Sequence, residues 1–183
     1  MPTAYITHPD CLKHNMGSFH PECPQRLIAI ENELKTAGLL EQLQRYDAPL
    51  ATTDQLARVH TADYIDSIRQ ASPAAGIVAL DADTAMNPFS LSAALHAAGA
   101  VILAADLVLA GTVNNAFCAV HPPGHHAESD RAMGFCLFNN IAVGVAHAIA
   151  HHHLQRVAIL DFDVHHGNGS EEIRSEERRV GKE

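Results

Sequence analysis

The segment with the clearest chemical content is residues 160–169, whose sequence is LDFDVHHGNG. In an extended chain the side chains alternate between two sides, so Asp161, Asp163 and His165 are expected on the same side. Two carboxylates and an imidazole beside a core strand are costly to bury unless they are paired or bind a cation. Oxygen and nitrogen donors suit Zn²⁺ or another first-row divalent ion. The full pattern therefore favours a metal site over a solvated strand-to-loop junction.

A second candidate segment, HPPGHHA at residues 121–127, follows the short apolar run 116–120. Its prolines and glycine predict a rigid loop that presents two adjacent imidazoles, His125 and His126. One imidazole can take a proton from a reacting water and later deliver it to a leaving group, and the other can hold positive charge near an oxyanion. An ordinary pair of loop histidines is the alternative, which an acidic cluster on the same sheet edge disfavours.

Three further features are less specific. Phe135, which follows Gly134, is typical either of the wall of a narrow apolar channel or of a core aromatic. Cys136 has no evident neighbouring base, so we do not predict a nucleophile there. The histidine run 151–153 ends a predicted helix, where imidazoles favour the helix dipole and face water, and we interpret it as a solvated helix end.

Strands and helices alternate along the chain, which predicts an α/β protein with a parallel sheet and helices on both faces. Both candidate segments begin where a predicted strand ends, at the ligand-binding edge of such a sheet. Thr53 and Thr61 are expected to cap two short helices, and Gly38 and Gly111 to end two longer ones. The predicted strands are 5–7, 116–120 and a buried strand at 157–160, and the predicted helices are 24–37, 53–59, 61–69, 88–110 and 140–151.

The composition of the 183 residues fits one packed domain, since 47% are apolar and 18% are charged. A net charge of −9 argues against a nucleic-acid binder, while a cationic ligand stays compatible with it. The four cysteines form no C-x-x-C pair and residues 1–10 show no signal peptide, so we expect reduced thiols in a cytoplasmic protein. The uncharged stretch 84–105 contains polar side chains and is interpreted as a buried core helix, with no membrane span.

The last ten residues, 174–183, differ abruptly from the rest, with four basic and three acidic side chains. Their sequence, RSEERRVGKE, is similar to a translated sequencing adapter joined to a shortened reading frame. We therefore expect a domain at 1–173 followed by a non-native tail at 174–183.

Taken together, these segments resemble the histone deacetylase family. The resemblance is strongest to its class II-like branch, with the bacterial deacetylases, acetylpolyamine amidohydrolases and acetoin-utilisation proteins. It extends from residue 5 to residue 173 and depends on the motifs HPECPQR (20–26), VH (59–60) with Tyr64, DT (83–84), PPGHHA (122–127), GFC (134–136), NN (139–140) and 161–169. It implies the arginase–deacetylase fold, an α/β fold with a parallel sheet flanked by helices on both faces, truncated here to about its N-terminal half.

The resemblance also implies a zinc-dependent hydrolysis of an acetylamide, with acetate as one product. In that chemistry Asp163 and His165 bind zinc, His126 is the general base and then the acid, and His125, paired with Asp161, stabilises charge. The resemblance further implies that Gly134 and Phe135 line an acetyl-lysine channel and that Arg26 lies in the cavity where acetate leaves. It also implies that a structural monovalent cation such as K⁺ is held by Asp161, Asp163 and His165. His20 and His166 are expected to support the site. The implied substrate is an acetylated lysine or a small acetylated amine, with no nucleic acid or membrane partner and with oligomer formation left open.

Two functional residues of the family pattern lie beyond the position of residue 183. They are the third zinc ligand, which is an Asp, and the Tyr or His that polarises the substrate carbonyl. We therefore expect the parent protein to be active and the 183-residue chain to be inactive. His121 stands where the branch often has Arg, and Asn168 where class I members have Asp. A non-catalytic deacetylase-like binding module is the main alternative. A two-manganese ureohydrolase ranks low, because D-x-D-x-H-H differs from its usual D-x-H-x-D.

Overall fold

The computed structural model describes residues 2–173, so the predicted non-native tail lies outside the described residues. Short 3₁₀ helices cover Pro9–Leu12 and Leu40–Gln42, and residues 168–173 are helical at the end of the described part. The remaining helices are α1 (Gln25–Thr36), α2 (Thr53–Leu56), α3 (Ala62–Ala71), α4 (Ser90–Leu109) and α5 (Asn140–His152). The strands are β1 (Thr3–Thr7), β2 (Gln44–Asp47), β3 (Val78–Ala79), β4 (Ala85–Met86) and β5 (Asn115–Cys118).

The sheet that positions the candidate site is parallel, with the strand order β2-β1-β5. Side chains of the central strand β1 alternate between its two faces, as a period of two requires. Ala4 and Ile6 join a buried cluster with residues of α4, whereas Tyr5 joins a different cluster with Leu27 of α1. The sheet therefore has a helix on each face, as predicted.

Helix α4 is the central helix of the core. By length and composition alone it could cross a membrane, because its most apolar stretch has a mean hydropathy of 1.8. It packs instead against β1, β5 and α5, and small residues such as Ala97 and Ala98 are fully buried between them. The helix ends before Gly111, whose φ of +71° is favourable only for glycine. The predicted core helix is thus confirmed.

One predicted helix cap is wrong by one residue. Thr52, not Thr53, caps α2, because its hydroxyl accepts a hydrogen bond from the backbone N–H of Gln55 and the Gln55 side chain accepts one from the N–H of Thr52. This reciprocal arrangement needs an acceptor side chain three residues after the cap. Counting from Thr53, that position is Leu56, which has none. The predicted cap of α3, Thr61, is confirmed.

The predicted buried strand at 157–160 is also wrong. Residues 157–163 have no strand assignment, and Leu160, Phe162 and Val164 are 88%, 95% and 92% exposed. Among the described residues no strand pairs with this segment, and within 157–160 Val157 and Ile159 are only half-buried, so its aliphatic character alone does not bury it. The predicted placement of Asp161, Asp163 and His165 on one side is also not kept, because Val164 lines the same cavity as Asp163 and His165 whereas Asp161 does not.

Candidate active site

One cavity of about 410 Å³ brings together most of the residues that the sequence predicts to be functional. Its walls come from the loop that follows β5, from the segment after residue 160, and from the chain just before and at the start of α1. Asp161 is outside the lining set and contacts His125 instead. The predicted residues that line the cavity are Arg26, His125, His126, Gly134, Phe135, Asp163 and His165.

The two adjacent histidines have different partners. The ring of His125 lies 2.9 Å, Nδ1 to Oδ2, from the carboxylate of Asp161, and the ring of His126 lies 2.7 Å, Nδ1 to Oδ1, from the amide of Asn168. The two ring centroids are 4.1 Å apart. The hydrogen bond with His125 holds the pKa of Asp161 below its usual range, so this carboxyl group is an anion at neutral pH. One histidine thus has an anionic partner and the other a neutral partner.

The orientation of the Asn168 amide is determined by its other contacts. Its Nδ2 group donates to Oε1 of Glu128 at 2.7 Å, and it also approaches the backbone oxygen of His126 and the sulfur of Met133. The amide oxygen must therefore face His126, which donates from Nδ1 and keeps a lone pair on Nε2. In the sequence Asn168 stood out only as a departure from class I members, and nothing there pointed to its partner Glu128.

Asp161, Asp163 and His165 are linked along the chain by local hydrogen bonds. The backbone N–H of Asp163 donates to Oδ1 of Asp161 at 3.1 Å, and the backbone N–H of His165 donates to Oδ1 of Asp163 at 2.8 Å. This backbone donor lowers the pKa of Asp163, so its carboxylate is also ionised. The ring Nδ1 of His165 lies 3.0 Å from the same oxygen, which leaves two candidate metal donors side by side. Gly167 permits the chain to pack closely against Asp161, because a Cβ at residue 167 would lie 2.5 Å from Oδ2 of Asp161.

Gly134 and Phe135 form a tight turn with φ of +56° and +70°. Positive φ at both central residues, closed by a hydrogen bond from the N–H of Cys136 to the oxygen of Met133, is the geometry of a type I′ turn. A Cβ on Gly134 would lie 2.3 Å from Cδ2 of His126, so only glycine permits the two to pack together. The strained conformation of Phe135 is held by Thr84, whose hydroxyl accepts the N–H of Phe135 at 3.0 Å.

The phenyl ring of Phe135 packs against His20, which was expected to support the site. The two ring centroids lie 4.6 Å apart in an edge-to-face arrangement. Nε2 of His20 lies 3.1 Å from the backbone oxygen of Asp83, which tethers the His20 ring.

A buried carboxylate connects Arg26 to the interior. Oε2 of Glu22 lies 3.0 Å from Nη1 of Arg26, and Oε1 lies 2.5 Å from Nδ1 of His121. Nε2 of His121 lies 3.3 Å from the backbone oxygen of His14. Glu22 is 7% exposed and His121 is 1% exposed, so each would be costly to bury without the other. His121, at a position where the family branch often has Arg, thus fixes the glutamate that orients Arg26.

His60 joins the loop that follows β5 to the start of α5. Its Nδ1 lies 2.9 Å from the backbone oxygen of Glu128, and its Nε2 accepts the backbone N–H of Asn139 at 3.0 Å. The side chain of Asn139 then caps α5 by accepting the N–H of Ala142. Burial lowers the pKa of His60 to about 4, so the ring is neutral at pH 7 and can donate on one side and accept on the other. His60 belongs to the VH motif at 59–60, but no role was expected for it from the sequence.

Two expectations about other histidines need correction. His166 does not support the site, because its exposed ring contacts Glu171, with Nε2 lying 2.7 Å from Oε2. The run 151–153 is not uniformly solvated, because Nε2 of His152 lies 2.6 Å from Oδ1 of Asp106 on α4. The expectation for Cys136 is consistent with the structure, since burial raises its pKa to about 12 and keeps the thiol protonated.

The predicted pair of zinc ligands is not part of the metal-ligand clusters in the described residues. Within residues 2–173, two groups bring three or more ligand atoms of His and Asp within 4.8 Å of one another. Neither group contains Asp163 or His165, whose pair has no third such donor within that distance in the described part. The groups are His8 with Asp10 and His96, and Asp106 with His147, His151 and His152.

Comparisons with known proteins agree with the geometry. The profile of the histone deacetylase domain matches residues 20–181, which extends into the predicted tail. The chain is 44% identical over 154 residues to the histone deacetylase-like amidohydrolase of Pseudomonas aeruginosa, covering 84% of this chain and 40% of that protein. It is 36% identical over 179 residues to the polyamine deacetylase HDAC10 of Homo sapiens, covering 92% of this chain and 27% of that one.

The solved structure of the HDA15 HD domain superimposes with a TM-score of 0.87 at 38% identity, covering 94% of this chain and 50% of that one. The chain thus spans about half or less of each of these relatives. The parallel sheet with helices on both faces is consistent with the arginase–deacetylase fold expected from the sequence. By sequence and by overall structure, this chain belongs to the histone deacetylase family.

Proposed function

We propose that this chain is the N-terminal part of a zinc-dependent deacetylase of the class II-like branch, which hydrolyses an acetylamide to acetate and a free amine. The observation that carries the proposal is the unequal pairing of two adjacent histidines on one cavity, His125 with Asp161 and His126 with Asn168. Proton transfer and charge stabilisation need two groups with different preferences, and a carboxylate and an amide partner supply that difference.

The zinc ion would be held by Asp163 and His165, which both line the cavity. A carboxylate oxygen and an imidazole nitrogen are suitable zinc ligands, and a catalytic zinc usually has three protein ligands. A further ligand would come from outside the described residues. A zinc ion, when bound, supplies a Lewis acid for the acetyl carbonyl oxygen.

His126 would act as the general base and then as the general acid. Because Asn168 accepts from Nδ1, the free lone pair is on Nε2, which can take a proton from the attacking water. The water oxygen forms a bond to the acetyl carbon, and the carbon–nitrogen bond breaks as His126 returns the proton to the amine nitrogen. The products are acetate and the amine, and the histidine ends in its starting state.

His125 would stabilise charge instead of transferring the first proton. Its Nδ1 donates to an ionised carboxylate, and an anionic partner stabilises a cationic ring more than an amide does. A cationic ring near the cavity would offset the negative charge that develops on the carbonyl oxygen. The K⁺ site implied at Asp161, Asp163 and His165 stays a prediction.

The substrate would enter beside Gly134 and Phe135, and acetate would leave past Arg26. The backbone of Phe135 is held by Thr84 and its phenyl ring packs against His20, so the ring can form an apolar wall for an acyl-lysine stem. Arg26 is held by Glu22 at the cavity and can attract the acetate anion. The substrate would be an acetyl-lysine in a protein or a small acetylated amine, in the cytoplasm.

The test is a chimera in which this chain replaces the matching part of the amidohydrolase from P. aeruginosa. Acetate release is measured from an acetyl-lysine peptide and from an acetylated polyamine, with Zn²⁺ added. We expect turnover by the chimera, a loss of at least about 100-fold on changing His126→Ala, and no turnover by the 183-residue chain alone. His153→Ala, in an exposed residue, is the matched control.

Two outcomes would contradict the proposal. A folded chimera that binds the acetylated peptide without turnover would favour the non-catalytic binding module. Robust turnover by the isolated chain would refute the expected incompleteness of its metal site.

A further inference from the structure

We propose a second metal site, distinct from the candidate active site, in which Asp106, His147, His151 and His152 bind a first-row divalent transition-metal ion such as Zn²⁺. These four side chains form the α4–α5 cluster, with Asp106 on α4 and the histidines on the last turns of α5. One ligand atom from each lies within 4.8 Å of every other. No other role in the proposed hydrolysis uses any of the four.

The cluster is well separated from the histidines of the cavity. Asn140, at the first turn of α5, donates a hydrogen bond to the backbone oxygen of Pro122 in the loop after β5, which carries His125 and His126. At a rise of about 1.5 Å per residue, His147 lies about 10 Å and His152 about 18 Å further along the helix. An ion in the α4–α5 cluster therefore could not be shared with Asp163 and His165.

Helix geometry places the three imidazoles on adjacent positions. His147 and His151 are four residues apart, so they lie on the same face one turn from each other, and their ring centroids are 5.0 Å apart. The ring of His152 lies 4.9 Å from that of His151 and 5.7 Å from that of His147. Three nitrogens and one carboxylate are the number and type of donors in a closed, four-coordinate zinc site.

Two of the nitrogens already converge on a single oxygen atom. Nε2 of His147 lies 2.7 Å and Nε2 of His152 lies 2.6 Å from Oδ1 of Asp106. Ligand atoms around a tetrahedral zinc ion are about 3.3 Å apart, which follows from bond lengths of about 2.0 Å. Each contact would therefore open by about 0.7 Å as the ion replaces the two shared protons, a change that side-chain rotation can supply.

Arg58 is the competing group in the metal-free state. Its Nη1 lies 3.1 Å from Nδ1 of His147, so His147 accepts at Nδ1 and carries its proton on Nε2. Binding a metal through Nε2 requires the opposite tautomer, with the proton on Nδ1. Arg58 is exposed and can move away, whereas His147 is only 5% exposed and its ring is fixed. Ion binding thus exchanges an Arg58 contact for a ligand bond.

The experiment is a titration of the untagged 183-residue chain with Zn²⁺ against a chromophoric chelator at neutral pH. The background carries Asp163→Ala and His165→Ala, so that the proposed catalytic ligands do not contribute. We expect one Zn²⁺ per chain, a loss of affinity of about 100-fold when His151→Ala and His152→Ala are added, and no change with His153→Ala, the matched neighbour outside the cluster. Absence of binding in this background, or unchanged affinity after the double substitution, would overturn the proposal.

A second pair of variants tests the ligand assignment without removing any donor. We expect Arg58→Gln to raise the affinity for Zn²⁺ several-fold more than Arg156→Gln, which removes the same charge from an exposed position beyond the end of α5. Far-UV circular dichroism of each variant checks that it is folded. Equal effects of the two arginine substitutions would overturn ligation through Nε2 of His147.

Discussion

The buried side chain of His60, which joins the loop after β5 to α5, makes the stability of this domain sensitive to acid. His60 is 2% exposed and is satisfied only as the neutral ring, since it accepts the N–H of Asn139 and faces the oxygen of Glu128. Protonation would place a second N–H against that of Asn139. The pKa of His60 is about 4 in the folded protein, against about 6.5 in the unfolded chain.

The sign and size of the effect follow from proton linkage. Above about pH 6.5 the ring is neutral in both states and makes no pH-dependent contribution, whereas below it the unfolded chain binds a proton that the folded protein excludes. The free energy of unfolding therefore falls as the pH drops from about 6.5 toward about 4. Between pH 7 and pH 5 the loss due to His60 is about 2 kcal/mol, at about 1.4 kcal/mol per pH unit. His14, whose pKa burial lowers to about 3, adds a loss of the same sign.

The perturbation is His60→Gln, which cannot titrate and can keep one of the two hydrogen bonds. We expect it to lower the free energy of unfolding at pH 7 by about 1–3 kcal/mol, the cost of one unsatisfied buried backbone group. We also expect its loss between pH 7 and pH 5 to be smaller than that of the unsubstituted chain by about 2 kcal/mol. Urea unfolding followed by circular dichroism at the two pH values measures both. His153→Gln is the matched control, and an equal pH dependence in the unsubstituted chain and His60→Gln would refute the reasoning.

Three further predictions concern single side chains. Gly134→Ala is expected to lower the melting temperature and to lower the free energy of unfolding by about 1–3 kcal/mol, because its Cβ would lie 2.3 Å from the ring of His126. An unchanged melting temperature in thermal unfolding would contradict this packing. Thr52→Ala should cost about 1 kcal/mol in urea unfolding and more than Thr53→Ala, and the reverse order would contradict the capping box. Cys136 should resist alkylation at pH 8 in the folded protein and react in urea, because burial raises its pKa to about 12. Mass spectrometry of the iodoacetamide-treated protein measures the extent of labelling. Rapid labelling of Cys136 in the native protein would contradict the prediction.

The elements were predictable wherever local signals agreed with the tertiary environment. The apolar periodicity of α1, α4 and α5 and the glycine that ends α4 gave boundaries within a few residues. The segment at 157–160 has an equally clear aliphatic pattern, yet it is not a buried strand. Its burial depends on pairing and cover from other segments, which its own residues cannot specify.

Chemical type and spacing in the sequence were sufficient to nominate the candidate site residues. The strings at 121–127 and 161–169 carry five imidazoles and two carboxylates on loops that follow apolar runs, and in the structure His125, His126, Asp163 and His165 line one cavity. The sequence could do this because metal ligation and proton transfer require particular donor atoms, and these sit at fixed intervals along the chain.

Only the tertiary structure decided which group each residue contacts. It paired His125 with a carboxylate and His126 with an amide, and it brought Asp106 to histidines about 40 positions later in the chain. These contacts depend on how α4, α5 and the loops pack, and sequence separation carries no information about that packing. The sequence therefore determined which chemistry is available in this protein, and the packing of its helices and loops determined how that chemistry is arranged.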